Sequence, residues 1–120
     1  MSHSAAQWNA FIKEIIGNRI VFTIKDEGGI PTSTNIDGET SMPFWSLKSR
    51  AEKIIENIPS YSRFQVYEIS LNDIINKWLK GLENDGLFVG VNWSGIKAKG
   101  YDINPAEVLD RIQYEHNLFD

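Results

Sequence analysis

Apolar residues recur at helical spacing through Trp8, Phe11, Ile12, Ile15 and Ile16, the single stripe of a helix that lays one face on a core. Ser4 followed by Gln7 has capping-box spacing, which predicts a start near Ala5, and Gly17 is a stop signal. The period then changes from 3.6 to two. Ile20, Phe22 and Ile24 alternate with Val21, Thr23 and Lys25, a strand pattern that ends at Asp26-Glu27-Gly28-Gly29. Residues 30–35 predict a second, more polar strand and Asp37-Gly38 a second turn. Residues 40–44 complete an antiparallel three-stranded meander. Pro31 and Pro43 lack an amide hydrogen, which confines them to strand ends or an edge.

Helical spacing returns with Leu47, Ala51, Ile54 and Ile55, and Asn57-Ile58-Pro59-Ser60 ends that helix. Phe64, Val66 and Glu68 alternate with Gln65, Tyr67 and Ile69 as a fourth strand. Ser70 with Asp73 caps a helix whose inner face is Leu71, Ile74, Ile75, Trp78, Leu79 and Leu82. Residues 87–92 read as a strand, and Trp93-Ser94-Gly95 turns into a short lysine-bearing strand, residues 96–101, of the kind that protects a sheet edge. Asn104-Pro105-Ala106-Glu107 then combines an N-cap, an N1 proline and an acidic first turn ahead of Val108, Leu109 and Ile112. The order defines an α+β fold. It is a single domain over residues 1–120, with a mixed β-sheet packed by about four helices. Residues 113–120 either fray or dock through Leu118 and Phe119.

The composition narrows function mainly by exclusion. A chain of 120 residues with 42% hydrophobic and 23% charged residues suits one folded core. A net charge of -4 gives no footprint for nucleic acid or an anionic membrane. No run approaches the roughly 20 apolar residues of a membrane helix, and the N-terminus has no signal-peptide pattern. A cytoplasmic location is the expectation. Without cysteine there are no disulfides, thiolate metal sites or thiol nucleophiles.

Familiar catalytic sets are not spelled out either. His3 and His116 lie near opposite termini, and no ordered nucleophile, base and orienter accompanies them. Asp26-Glu27 and Asp37-Gly38-Glu39 lack calcium-loop spacing, so no metal and no cofactor is expected. Gly28-Gly29 lacks the Walker lysine. Gly86-Leu87-Phe88-Val89-Gly90-Val91 is apolar and strand-like, and Gly90 there suits the close approach of backbone or of an aromatic ring.

Two stretches carry more. In Phe44-Trp45-Ser46, the serine is placed to cap a helix whose free N–H groups could hold an anion, with Arg50 one turn deeper. The plainer alternative is that Trp45 packs in the core, Ser46 only caps and Arg50 pairs with an acid such as Glu27. In Asn92-Trp93-Ser94-Gly95 a tryptophan sits in a polar turn, either as a binding aromatic or folded back over the sheet. Trp78, on an apolar stripe, reads as core.

Taken together, Ala6-Gln7-Trp8-Asn9-Ala10-Phe11, Val21-Phe22-Thr23-Ile24-Lys25-Asp26-Glu27-Gly28-Gly29, Met42-Pro43-Phe44-Trp45-Ser46, Ser49-Arg50-Ala51-Glu52-Lys53-Ile54, Gly90-Val91-Asn92-Trp93-Ser94 and Gly100-Tyr101-Asp102 give a chain that resembles a bacterial family, domain of unknown function 2750. The resemblance implies a small stand-alone protein and brings no activity, cofactor or catalytic residue with it. A looser, fold-level analogy is to secretion-enhancer-B-like domains, which include accessory and immunity-type proteins. The expectation is therefore a non-enzymatic binding module, immunity-like or regulatory. It would take a protein partner or small anionic ligand on a surface holding Asp26, Trp45, Ser46, Arg50, Trp93 and Ser94. The alternative is an enzyme acting on a small anionic substrate at Ser46, with Asp26 or Glu27 as acid or base.

Overall fold

Helix α1 (His3–Asn18) ends not at Gly17 but at Arg19, whose φ of 58° is left-handed and whose N–H donates to the Ile15 carbonyl at 2.9 Å. That cap geometry ordinarily favours glycine. The computed structural model describes residues 3–95 and 99–119. The side chains of residues 3, 4, 99 and 116–119, and with them His3, His116, Leu118 and Phe119, lie outside that description, as does Lys97.

Beyond Arg19 the chain runs through β1 (Ile20–Lys25), β2 (Ser33–Thr34), β3 (Thr40–Phe44), α2 (Lys48–Asn57) and a 3-10 turn (Pro59–Tyr61). Strand β4 (Gln65–Ser70) feeds directly into α3, which comprises Leu71–Asp73, a π-helical turn at Ile74–Trp78, and Leu79–Asn84. Strands β5 (Phe88–Ser94) and β6 (Lys99–Ile103) and helix α4 (Pro105–Phe119) complete the chain. Two caps form as the sequence specifies. Ser70 Oγ accepts from Asp73 N, and Asn104 Oδ1 accepts from Ala106 N.

The α+β class, the mixed sheet and the four helices agree with the sequence, but the meander does not close as its pattern suggests. Only β2 and β3 form its hairpin; β1 pairs antiparallel with β4 along its whole length, Ile20 opposite Ser70 through Lys25 opposite Gln65. Strand β3 runs parallel to β5, which pairs antiparallel with β6. The two sheets are joined where Phe22 and Trp45 exchange backbone hydrogen bonds of 2.8 and 2.7 Å. Pro43 is consequently internal, not at an edge. Its carbonyl accepts from Thr23 Oγ1 at 2.7 Å. Since carbonyl and N–H of one strand residue point the same way, the missing N–H faces β1, where a side chain rather than a ladder satisfies the proline.

The sheet divides two cores. On one face α1, α3 and α4 bury Phe11, Ile12, Ile15, Ile74, Leu79, Leu82, Val108 and Ile112 against Val21, Phe44, Ile69, Val89 and Val91. Trp78 is half-buried at the margin of that core, edge-on to Phe44. On the other face α2 packs Ala51 and Ile54 on Phe22, Ile24, Trp45 and Trp93.

Candidate functional site

Val89 and Val91 face the first core, so strict alternation would send Trp93 the same way. It lies in the second core instead. The switch is made at Asn92, whose φ is 48° and where the β5–β6 register slips between Val91 and Ser94. A bulge of this kind re-aims the next side chain, and asparagine tolerates left-handed backbone better than most residues. The indole then settles over two glycines. A Cβ on Gly90 would stand 2.5 Å from Trp93 Cε2 and Nε1, and one on Gly100 would stand 2.9 Å from Trp93 Cδ1. Trp93 Nε1–H donates to Asp102 Oδ1 at 3.1 Å, and the Trp93 carbonyl accepts from Trp45 Nε1–H at 2.8 Å. Both tryptophans are buried and hydrogen-bonded; neither is an exposed binding aromatic.

The bulge also points the Asn92 side chain at the end of β3. Asn92 Oδ1 accepts from Ser46 N at 3.0 Å, and Asn92 Nδ2 donates to Ser46 Oγ at 3.1 Å. Ser46 Oγ in turn donates to Glu14 Oε1 at 2.7 Å. Ser46 therefore does not cap α2. The N-cap position is Leu47, which makes no side-chain cap bond. The fully buried serine instead ties α1 to the ends of β3 and β5. Arg50 pairs with Glu14 rather than Glu27, through Nη2 and the same Oε1 at 3.5 Å. Its Nε–H is buried and has no acceptor.

Beside this network, at the carboxyl ends of the parallel strands β3 and β5, lies a cleft of about 360 Å³. Its walls are the α2 face formed by Arg50, Lys53, Ile54 and Asn57, and the chain from Asn92 through Trp93 and Ser94 to Gly95. The α2 residues recur at i, i+3, i+4 and i+7, so one helix face supplies the whole wall. The lining holds two cations, a hydroxyl and amides, with apolar surface from Ile54 and the edge of Trp93, and none of these lining residues is a carboxylate.

Of the residues marked by sequence, Trp45, Ser46, Arg50, Trp93 and Ser94 thus converge on one region, with Trp45 and Ser46 beneath it. Asp26 does not join them. Strand β1 runs antiparallel to β3 from the Phe22–Trp45 bridge, so its far end lies toward the start of β3. There Asp26 Oδ1 accepts from Gly28 N within its own turn, beside Lys25, Glu27, Arg63 and Gln65. The enzyme alternative needs Asp26 or Glu27 beside Ser46; both stand at the opposite end of the sheet. Sequence reasoning missed Glu14, Lys53 and Asn57. The latter two are legible as the helical neighbours of Arg50, whereas nothing in the pattern of α1 marks Glu14. Among the described residues no three His, Asp or Glu side chains group to hold a metal, and no helix is long and apolar enough to cross a membrane.

The fold and site define an α+β domain whose parallel strand pair opens on a cationic cleft. The chain belongs to the family of proteins of unknown function DUF2750, whose model matches residues 8–112. That span takes in both tryptophan stretches, Glu14 and all of the cleft. No curated protein matches the chain.

Proposed function

We propose that this protein is a binding module that takes an anionic group in the cleft between α2 and the end of β5, with Arg50 and Lys53 as its charge-bearing contacts. The observation that carries the reading is the electrostatic contrast. In a chain of net charge -4, the described residues that line the cleft include two cations and no carboxylate. Position supports the reading as well. Crevices outside the carboxyl ends of parallel strands are where open α/β sheets commonly hold ligands. The cleft volume falls at the low end of the roughly 300–1,000 Å³ of small-molecule sites, which favours a small ligand or a single protruding group over a broad partner surface.

Arg50 is also poorly satisfied in the free protein. A half-exposed ion pair at 3.5 Å is worth about 0–1 kcal/mol. A buried N–H without an acceptor costs about 1–3 kcal/mol. An incoming anion that draws the guanidinium outward gains what the free protein leaves unmade.

The test is a titration of isotopically labelled protein with sodium benzoate and, separately, sodium phosphate, followed by NMR. The reading requires saturable shifts at Arg50, Asn57 and Ser94 with at least one probe. Shifts confined to the Lys25–Arg63 region, or none with either probe, would reject it.

A further inference from the structure

Glu14 raises a question that the binding reading alone leaves open: why a carboxylate should approach the arginine of an anion site. One oxygen, Oε1, serves two donors of unequal strength. Ser46 Oγ holds it at 2.7 Å, a short charge-assisted bond, while Arg50 Nη2 stands at 3.5 Å, the limit of a hydrogen bond. The serine is itself fixed from the other side by Asn92, so Glu14 is anchored and Arg50 is the movable partner. Arg50 also keeps the donor that side-on carboxylate recognition uses, since Nε and Nη2 together form the fork that grips both oxygens of a carboxylate. In the free protein Nη2 is weakly committed and Nε has no acceptor.

We infer that Glu14 is the internal counter-anion of the cleft, a stand-in that the carboxylate of a small, partly apolar ligand displaces from Arg50. The inference rests on the binding reading above and adds the ligand class and the residue that opposes it. On binding, Arg50 rotates from Glu14 to grip the ligand carboxylate through Nε and Nη2, and Lys53 one turn along supplies the second positive charge. The apolar body lies over the small apolar surface that Ile54 and Trp93, both nearly buried, leave at the cleft wall. Glu14 stays on Ser46, so the buried Glu14–Ser46–Asn92 chain is unchanged by loading. The fork itself suits a carboxylate or a phosphate; the apolar residues in the lining favour the carboxylate of a partly apolar ligand. Affinity is held down by competition and by repulsion from Glu14, which makes the cleft a site for an abundant metabolite or a reversible signal rather than for tight capture.

The test compares benzoate titrations of the wild type and of Glu14→Gln. The amide oxygen of the glutamine still accepts from Ser46, which limits structural damage, while the competing charge is removed. Benzoate affinity should rise about 3- to 10-fold, the equivalent of about 0.6–1.4 kcal/mol, and Arg50→Ala should abolish binding. A second readout needs no variant: benzoate should shift the Arg50 Nε–Hε signal of the wild type, and phosphate should shift it less. Unchanged or weaker binding by Glu14→Gln, with binding still lost in Arg50→Ala, would overturn the counter-anion role and leave the cleft standing. Binding unaffected by Arg50→Ala would overturn both. An unmoved Arg50 Nε–Hε signal at saturating benzoate would overturn displacement even if Glu14→Gln folds poorly.

Discussion

The indole N–H of Trp45 donates to the main-chain carbonyl of Trp93 across 2.8 Å, closing the ends of two parallel strands 48 residues apart in the chain. This bond fixes the floor beneath the cleft. It makes both tryptophans part of the frame, and it changes which substitutions can inform on function. Removing Trp45 would damage the second core, so a loss of binding in Trp45→Ala would say nothing about contact with a ligand.

Trp45→Phe deletes the donor to the Trp93 carbonyl and, because phenyl is smaller than indole, leaves a void in the second core. Stability should fall by about 1–3 kcal/mol, read as a lower urea midpoint with an unchanged slope. A midpoint within error of the wild type would show that the bond contributes nothing to the frame.

Gly90→Ala places a methyl 2.5 Å from the Trp93 ring. Because the neighbour is a buried indole packed between two strands, relief requires moving the ring or bending β5. A loss of about 1–3 kcal/mol is expected, along with a changed Trp93 fluorescence or indole NMR signal. Serine at the same position should do no better, since the conflict is with the Cβ itself.

Asn92 combines two roles that a pair of substitutions separates. Asn92→Gly retains the left-handed backbone and removes the acceptor for Ser46 N, costing about 1–3 kcal/mol. Asn92→Ala loses the acceptor and adds roughly 1 kcal/mol of left-handed strain. Denaturant melts of both variants should therefore rank wild type above glycine and glycine above alanine; equal losses would remove the backbone from the explanation.

Arg19 offers the opposite sign. Its φ of 58° closes α1 in a conformation natural to glycine. Arg19→Gly should raise stability by up to about 1 kcal/mol, partly offset by the greater freedom of glycine in the unfolded chain. A lower melting temperature would mean that the arginine side chain contributes more than its backbone costs.

How far these features could be read in the sequence follows from the range over which each is determined. Helices α2, α3 and α4, the Ser70 and Asn104 caps and the Asp26 turn depend on neighbours within a few residues, and period and capping chemistry revealed them. Gly90 was recognisable as a point of close approach because an apolar strand has no other use for glycine. Pairing was not recognisable. The choice of β4 over β2 as the partner of β1 is made between strands far apart in the chain, and alternation alone fits either. Ser46 misled for the same reason. Its position before a helix reads as a cap, but its partners Glu14 and Asn92 lie 32 and 46 residues away. The reversal at Asn92 was hidden because a left-handed asparagine and an extended one share a letter, and without it sequence could not choose between an exposed Trp93 and one folded back over the sheet.

The proposed anion site depends on Arg50 and Lys53 together. It is tested most directly by isothermal titration of benzoate, and separately of phosphate, into the wild type and into an Arg50→Ala/Lys53→Ala variant. Both substituted side chains line the cleft rather than fill a core, so the variant should melt within a few degrees of the wild type. Benzoate should bind the wild type saturably and the variant not at all. Equal binding by the two proteins, or no heat from the wild type with either benzoate or phosphate up to the millimolar range, would contradict it.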